Sequence, residues 1–494
     1  MNKPNEEYYN RLRENAEKRF LDIVELQKKG LVCLDGDFVP SVHYPPITQY
    51  PPVSEDFVLK GYSMPEDGMM DVYVHFPFCE RHCLYCHYPG KVGPQIEEKK
   101  KYVSYLKREI DMYRKKLGID RFRPRSVLIG GGTPTYLPVD LLEEFLIYFN
   151  EYVDLSKCKQ FNYDLDPMSL LGEEGRKKME IMKKYGVTRL TIGLQSLDDD
   201  VLKIMNRNHN AEEAKQSVYA AKEFGFDVNI EFIYGHPGQT FENWVDVINE
   251  AIKLPTDEIQ LYRLKVLAYG DYQGKIIKNR TDKSKHIPIP DFKETMMMKQ
   301  AAIDILHENG YNENLRRVFS KQKKIFSHYA YNQCCNLYDQ IGFGITAFSS
   351  FRDRFCLNTQ YFEEYYNKID EGRLPMNRGY IRSKEQQNRW AIVLPLKNRD
   401  IRKKDYKKVT GTDIDNIFKN KKELLIREGL ITEDERTIKL TDLGKFIADE
   451  VVEQFNSVEY IPFPRDNYAE GILNPYNNNT SEDALEEDVH DETV

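Results

Sequence analysis

The chain lacks the long apolar segments that membrane spans and secretory leaders require. No apolar run approaches the roughly 18 residues of a spanning helix, and the N-terminus Met1–Tyr8 has no apolar stretch typical of a signal peptide. Of the 494 residues, 40% are hydrophobic and 30% charged, which predicts a soluble globular protein of two or three domains. We therefore expect a cytoplasmic protein.

The chain also lacks a regular cysteine framework and a basic charge excess. Three of its eight cysteines cluster, while Cys33, Cys158, Cys334, Cys335 and Cys356 are scattered, a pattern typical of a reducing compartment. The formal net charge is −8. Most of that charge comes from the acidic residues 482–494, so the remainder is close to neutral. This balance argues against a general nucleic-acid-binding function.

The three clustered cysteines are the most informative feature of the sequence. Cys79, Cys83 and Cys86 follow the pattern C-x3-C-x2-C. Three thiolates can hold three irons of a four-iron cluster and leave the fourth iron open, whereas most clusters have four cysteine ligands. The alternative is a zinc site in which His82 or His87 supplies the fourth ligand. The position of the triplet directly after a predicted strand favours the cluster.

Strands and charged amphipathic helices alternate downstream of the N-terminal region. The predicted helices include Glu97–Leu117 and Glu173–Tyr185, and the predicted strands are Asp71–Phe76, Ser126–Ile129, Gln160–Leu165, Arg189–Gly193, Asp227–Tyr234 and Glu258–Val266. This alternation predicts an α/β fold with a parallel sheet. Six such units suit a partial (β/α)6 barrel, whose ligand chemistry lies at the carboxyl ends of the strands.

Several motifs occur in a fixed order around these strands. They are Tyr73-x-His-x-Pro-Phe-Cys79 with the rest of the triplet, Gly130-Gly-Gly-Thr-Pro-Thr-Tyr-Leu137, Arg189-Leu-Thr-Ile-Gly-Leu-Gln-Ser196, Arg207-Asn-His209, Tyr234-Gly-His-Pro-Gly-Gln-Thr240, Ile341–Ser349 and Leu440–Gly444. The ordered set resembles the radical S-adenosylmethionine (SAM) enzymes of the oxygen-independent coproporphyrinogen III oxidase family. The resemblance covers residues 46–455.

The resemblance implies a TIM-like radical SAM barrel with a C-terminal α+β extension and a winged-helix-like module. We expect an N-terminal helix and a Pro- and Tyr-rich segment in residues 1–70, the barrel in 71–290, the extension in 291–385 and the module in 386–456. The Asn-rich and acidic residues 474–494 predict a disordered tail. The Pro- and Tyr-rich segment resembles one that covers the active site in the oxidase branch.

The resemblance also implies two cofactors, a 4Fe-4S cluster and one or two molecules of SAM. The metal ligands would be Cys79, Cys83 and Cys86. The expected SAM-binding residues are Tyr73, Tyr85, Gly131, Gly132, Thr133, Asp164, Gln195, Arg207 and Glu231. Tyr73 would lie near the sulfonium and is the catalytic candidate, whereas Tyr85 would lie near the adenine. The glycines should offer free backbone N–H donors. For Gln195 and Arg207 the alternative is a polar network at the barrel mouth.

Two carboxylates depart from the family pattern. Asp164 stands where the family usually has Glu, and Glu231 stands where it usually has Asp. Charge is retained at both positions, but each side chain changes its reach by about one methylene. We expect SAM to bind in a shifted pose, with the two exchanges coupled.

The predicted activity is reductive cleavage of SAM at the cluster to a 5′-deoxyadenosyl radical that acts on a tetrapyrrole-like or other conjugated substrate. This matches an oxidoreductase similar to the coproporphyrinogen oxidase, working anaerobically with an electron donor such as flavodoxin or ferredoxin. The alternatives are a C-methyltransferase, an enzyme that opens the haem ring, and a haem-binding chaperone. Tyr88 replaces a cysteine usual in the oxidase, which weakens that assignment.

Some features match no branch of the family. Arg316 and Arg317 could pair with substrate carboxylates, but we expect a solvated face. Cys334 and Cys335 fit buried free thiols. The basic run Lys397–Lys408 is expected to be a solvated loop rather than a DNA-binding surface.

Overall fold

A computed structural model describes residues 4–39, 42–54, 59–86, 88–264, 287–324 and 326–478. Two of the sequence predictions, His87 as a ligand or loop residue and the end of the strand predicted to reach Val266, fall outside these residues. Within the described ranges, no helix is long and apolar enough to cross a membrane.

The strands of the described residues form one large and two small sheets. In chain order they are β1 Asp71–Phe76, β2 Phe78–Cys79, β3 Lys91–Val92, β4 Ser126–Gly131, β5 Gln160–Leu165, β6 Arg189–Gln195, β7 Asp227–Tyr234, β8 Glu258–Arg263, β9 Asn312–Leu315, β10 Val318–Ser320, β11 Gln340–Phe343, β12 Phe348–Phe351, β13 Arg354–Asn358, β14 Met376–Ile381, β15 Asp400–Arg402, β16 Ile431–Glu433 and β17 Thr437–Leu440. The large sheet has the order β14-β13-β12-β11-β1-β4-β5-β6-β7-β8-β10-β9.

The helices cover the outer face of this sheet and build the C-terminal region. In chain order they are α1 Glu6–Lys28, α2 Ile96–Leu117, α3 Val139–Tyr152, α4 Gly172–Lys184, α5 Asp199–Ile204, α6 Ala211–Glu223, α7 Phe241–Ala251, α8 Phe292–Glu308, α9 His328–Cys334, α10 Phe362–Asp370, α11 Lys384–Asn398, α12 Lys403–Thr410, α13 Ile414–Arg427, α14 Asp442–Phe446, α15 Ala448–Glu453 and α16 Pro475–Asn478. Capping boxes begin α2, α6, α7 and α11, which satisfies otherwise unpaired N–H groups at their first turns.

The predicted parallel core is confirmed. Strands β1, β4, β5, β6, β7 and β8 pair in parallel and in sequence order, as in an open TIM-like barrel. Their side chains are almost all buried, which is expected for a parallel sheet covered by helices. All strand carboxyl ends consequently point to one rim, where the predicted motifs lie.

The sheet is wider than the six predicted strands. Strand β11 adds a further parallel strand beside β1, and β12, β13 and β14 continue from it in antiparallel order. At the opposite edge β10 and β9 extend β8. The predicted extension 291–385 therefore supplies strands to the barrel sheet at both edges. The sequence pattern did not reveal this, because pairing across long sequence separations leaves no local periodicity.

The C-terminal region has its own core and a separate antiparallel sheet, β15-β17-β16. Together with helices α11, α12 and α13, the order of these elements is typical of a winged helix. The basic run 397–408 is not the predicted solvated loop: Lys397 is buried in α11 and residues 403–410 are helical. The domain boundaries remain predictions.

The N-terminal and C-terminal segments join the two cores. Helix α1 packs along α8, while its Ile23 and Leu26 enter the C-terminal core. In the Pro- and Tyr-rich segment, Tyr44 and Tyr50 are buried. At the predicted tail, Asn474 is buried and begins a short ordered turn through Asn478, so order extends past the predicted boundary. Residues 479–494 lie outside the described part of the chain.

Candidate active site

The cysteine loop lies at the carboxyl rim of the parallel strands. Cys79 ends β2, and a turn in which the Cys86 N–H donates to the Cys83 carbonyl at 3.2 Å joins the other two. All three thiols are half-buried and free. Burial raises the pKa of Cys79 to about 12 and raises that of Cys86. A bound cation is the natural compensation for thiolates in such a place.

Arg207 ties this loop to the barrel. Its guanidinium donates to the Cys83 Sγ at 3.0 Å, to the Tyr85 hydroxyl at 3.0 Å and to the Gly193 carbonyl at 2.8 Å. Burial lowers the pKa of Arg207, but the neighbouring Tyr85 and Cys83 outweigh that effect and raise it. Arg207 is therefore a fixed cation beside the thiols, at the end of β6.

The glycine run after β4 provides close contact with the cysteine loop. A Cβ on Gly132 would lie 2.8 Å from the Cys79 Sγ, and one on Gly131 would lie 2.9 Å from the His75 ring. The N–H groups of Gly132 and Thr133 donate to the Phe76 and Phe78 carbonyls, each at 2.7 Å. The expectation of a free donor is therefore wrong at Gly132. At Gly131 and Gly132 the close contacts require the small size of glycine rather than a free N–H group.

Tyr73 is held by a short hydrogen-bonded chain inside the barrel. Its hydroxyl lies 2.8 Å from His75 Nδ1, and His75 Nε2 lies 3.2 Å from the Thr346 Oγ1. Burial lowers the pKa of His75 to about 3, so the ring is neutral at physiological pH. His75 is the satisfied barrel histidine that the sequence predicted. Thr346, at φ +58°, was not identified from the sequence.

Asp164 and Glu231, the carboxylate pair, lie on β5 and β7. The Asn162 side-chain amide donates to Asp164 at 2.8 Å, and the Tyr262 hydroxyl donates to Glu231 at 3.4 Å. Burial raises the pKa of Asp164 to about 6. Burial, followed by the charge of Asp164, raises the pKa of Glu231 to about 8. Both side chains are only half-buried, so each opens onto the barrel interior. Two such carboxylates favour a cationic ligand.

A fully buried ion pair lies beneath the carboxylate pair. Arg189 and Glu258 form a two-pronged contact with both distances at 2.8 Å, and Arg189 also donates to Asn162 at 2.7 Å. Asn162 in turn positions Asp164. The Arg189 charge is thus neutralised locally while its hydrogen bonds orient the residues above it.

Gln195 ends β6 in a left-handed conformation with φ +67°. Its Oε1 is buried and has no hydrogen-bond partner among the described residues. A non-glycine residue in this region carries backbone strain, and strain of this kind concentrates at ligand sites. A buried acceptor without a partner is suited to a ligand donor.

The predicted site residues therefore converge on one rim, with Arg207 linking the cysteine loop to the strand ends. Residues not identified from sequence include Thr346, Tyr262 and Arg189. The alternation of polar residues Glu258, Gln260 and Tyr262 along β8 could have indicated an inward-facing polar row. His82 is exposed. His209 contacts the Leu194 carbonyl and Gln239 the Ile233 carbonyl, consistent with structural roles.

The three thiols lie on one loop, with Arg207 and the glycine contact with Cys79 beside them. This arrangement suits a cluster in which each cysteine binds a different iron.

Comparison with known proteins defines the class. Residues 73–251 match the model of the Radical SAM superfamily. The chain is 27% identical to the heme chaperone HemW of Bacillus subtilis over 78% of this chain and 99% of that protein. It is 24% identical to the oxygen-independent coproporphyrinogen III oxidase of Pseudomonas aeruginosa, over 80% and 86%.

A solved structure agrees in fold. The coproporphyrinogen III oxidase HemN of Escherichia coli superposes with a TM-score of 0.70 and 22% identity, covering 84% of this chain and 96% of that one. The chain thus carries a domain that matches the Radical SAM superfamily, and it is similar over most of its length to coproporphyrinogen III oxidases and to HemW. This similarity implies a 4Fe-4S cluster and SAM as its cofactors.

Proposed function

We propose that the chain is a radical SAM enzyme that acts on a tetrapyrrole-like substrate, similar to the coproporphyrinogen III oxidases. The arrangement around Arg207 is the observation that supports this proposal most. The Arg207 guanidinium donates to Cys83 of the triplet, to the Tyr85 hydroxyl and to the Gly193 carbonyl in β6. This contact supports a cluster-binding loop that lies next to a cation-binding pocket.

Each residue group has a proposed role. Cys79, Cys83 and Cys86 would hold the cluster. The carboxylate pair and Gln195 would bind the polar groups of SAM, Tyr85 would contact its adenine, and Tyr73 would contact its sulfonium. When bound, the two cofactors supply reductive cleavage of SAM and abstraction of hydrogen from the substrate. The electron would come from a small donor protein such as flavodoxin or ferredoxin.

The protein's own contribution is orientation and exclusion of water. Neutral His75 fixes the Tyr73 hydroxyl through one nitrogen and binds Thr346 through the other, so Tyr73 keeps one rotamer. Phe348 stacks on Tyr73 with ring centroids 5.9 Å apart, and Tyr329 lies 6.3 Å away. These rings form an apolar wall suited to a flat conjugated molecule.

The test is reconstitution of the full chain with iron and sulfide under anoxic conditions. With dithionite and SAM, we expect 5′-deoxyadenosine, measured by mass spectrometry, and faster release when coproporphyrinogen III is added. Zinc in place of iron, or no reductant-dependent 5′-deoxyadenosine, would contradict the proposal. Methylated product together with S-adenosylhomocysteine would instead identify the methyltransferase alternative.

A haem chaperone is the second candidate. It is favoured by the match to HemW, which extends over 99% of that protein. This function predicts stoichiometric haem binding and transfer, without any increase of 5′-deoxyadenosine release by tetrapyrroles. The ordered Pro- and Tyr-rich segment packed against Phe355 through Tyr50 favours the enzyme, because chaperones of the family usually lack it.

A further inference from the structure

Lys397 is a buried cation without a partner. It is 4% exposed, and no hydrogen bond or ion pair is formed by its ammonium group within the described ranges of the chain. A lysine in such a place loses the hydration of its charge and gains nothing in return. Burial, and then Arg316, lower its pKa well below the ordinary value. An unpaired cation at this depth needs a functional reason.

Two arginines lie beside the end of α11 that carries Lys397, since the Arg316 N–H donates to the Asn398 carbonyl at 2.9 Å. Arg316 and Arg317 occupy the turn between β9 and β10, with side chains that are 11% and 20% exposed. They are not the solvated face that the sequence predicted. Both pair with the same carboxylate, Asp449. Arg317 has a left-handed backbone at φ +67°, a strained conformation for a side chain of this size.

The three residues are unequally paired. Arg316 and Arg317 share Asp449 as a contacting carboxylate, and Glu313 accepts the backbone N–H of Arg317 at 2.6 Å. Lys397 forms no ion pair within the described ranges. We call Lys397, Arg316 and Arg317 the cation group, and Lys397 is its member without a contacting carboxylate.

The cation group borders the interior that holds the candidate active site. On one side, the Arg317 guanidinium lies 5.9 Å from the ring of Tyr262, the partner of Glu231. On the other side, Lys397 acts on buried His43, whose ring is 4.8 Å from that of Phe348. Phe348 stacks on Tyr73.

A second buried polar group points to the same interior. The Tyr329 hydroxyl is buried and has no hydrogen-bond partner in the part of the chain that the structure describes. Its ring lies 6.3 Å from Tyr73. Helix α9 thus carries Tyr329 at one end and Cys334 at the other. The buried Tyr329 hydroxyl, which has no partner, and the ammonium group of Lys397, which forms no ion pair in the described ranges, suit an acceptor such as a carboxylate.

We propose that the cation group, with Lys397 at its centre, is a carboxylate-binding subsite that fixes an acidic side chain of the flat substrate against the Tyr73, Phe348 and Tyr329 wall. The proposal rests on the tetrapyrrole-like substrate of the proposed function and adds its anchoring residues. Lys397 is a specificity-determining residue here, because a carboxylate would supply the partner that the protein does not.

Binding of two porphyrins tests the subsite without requiring turnover. Coproporphyrin III carries free carboxylates, and its tetramethyl ester has the same ring without charge. We expect the full-length chain to bind the free acid more tightly, as measured by fluorescence titration. Lys397→Met should weaken binding of the acid by about 10- to 100-fold, the range for a hydrogen bond to a charged group, and leave the ester unchanged.

Lys404→Met is the matched control, since Lys404 is exposed on α12 in the same basic run. It should bind both porphyrins as the unaltered chain does. Lys397→Met should also melt at the same or a higher temperature, because it removes a buried unpaired charge. A lower melting temperature would show a purely structural lysine and would overturn the subsite.

The outcomes separate the subsite from the proposed function. If the unaltered chain binds the acid and Lys397→Met binds it equally well, the subsite is wrong and the substrate class stands. If the unaltered chain binds neither porphyrin, the tetrapyrrole substrate and the subsite both fail. Reductant-dependent 5′-deoxyadenosine release would still show radical SAM chemistry in that case. Equal binding of acid and ester by the unaltered chain would also overturn the subsite.

Discussion

Two charged regions meet at the barrel interior, and they are built in opposite ways. In the carboxylate region, each buried charge has partners: Arg189 is paired with Glu258, and Asp164 accepts from Asn162. In the cation group, Lys397 has no partner among the described residues, and two arginines share Asp449. The Arg189 charge is thus neutralised within the protein, whereas Lys397 is open to pairing with the substrate carboxylate proposed above.

The difference has a physical origin in topology. The carboxylate region comes from neighbouring parallel strands, whose register brings Asn162 next to Arg189 and Glu231 next to Gln260. The cation group comes from a turn at one sheet edge and a helix of the C-terminal module. Complementary pairs within one sheet stabilise the fold, and groups brought together from separate elements are available for a substrate.

The largest effect should come from the cysteine triplet, on which the proposed chemistry depends. Cys83→Ser should remove the bound iron and reduce 5′-deoxyadenosine formation by at least about 1000-fold, because a missing ligand removes the redox centre that drives the cleavage. Iron analysis and the cleavage assay measure this. Cys158→Ser is the control, since Cys158 donates to the Gln160 carbonyl at 3.3 Å and serine can do the same. Equal iron content in both variants would remove the cluster assignment.

Of the charged groups compared here, the Arg189–Glu258 ion pair should contribute most to the free energy of unfolding. Arg189→Met leaves Glu258 buried and unpaired, so the free energy of unfolding should fall by about 3–5 kcal/mol. Chemical denaturation with and without Glu258→Leu checks this, and the double variant should recover part of the loss. Arg176→Met, in an exposed helical pair, should change stability by about 0.5 kcal/mol or less. If Lys397→Met destabilises as strongly as Arg189→Met, the contrast between the regions disappears.

The exchanged carboxylates allow a narrower test. Asp164→Glu and Glu231→Asp should each weaken SAM binding, by about 10-fold or more for a lost hydrogen bond to a charged group. The double reversal should bind SAM better than either single variant, because the combined length of the two side chains again equals that of the unaltered chain. Calorimetric titration of the reconstituted protein measures all three. Losses that simply add would show that the two positions act independently.

The smallest expected effect is a pH dependence. Both folded pKa values, about 6 for Asp164 and about 8 for Glu231, are raised above their ordinary values, so the neutral forms are favoured in the folded chain. Protonation of these two carboxyls contributes to the free energy of unfolding. This contribution is present in full below the ordinary carboxyl pKa and is lost as the pH rises through about 8. A cationic ligand prefers the ionised form, so SAM affinity should rise with pH from 6 to 8, by up to about tenfold per unit.

Glu231→Gln supplies the control for this titration. In this variant SAM affinity should rise less steeply with pH. The part of the rise that comes from titration of the amino group of SAM should remain. Its melting temperature should exceed that of the unaltered chain by an amount that grows between pH 5 and 8. An unchanged pH slope in this variant would assign the titration to another group.

Local sequence was sufficient for the parallel core, whereas the roles of the candidate site residues were predicted from the family resemblance. The strands Asp71–Phe76, Gln160–Leu165 and Asp227–Tyr234 were predicted with their observed bounds. Buried parallel strands read as continuous apolar runs, and a site at their carboxyl ends follows from topology. The free N–H donor expected at Gly132 was wrong because the Phe76 carbonyl accepts it.

The sequence by itself determined the cysteine spacing, the parallel strand order and the carboxylates at the strand ends, because each depends on residues that are near one another along the chain. Tertiary structure alone decided the sheet extensions by β9–β14, the link from Arg207 to Cys83 and the burial of Lys397 beside Arg316. Those features depend on contacts between distant segments, for which single-sequence periodicity carries no signal.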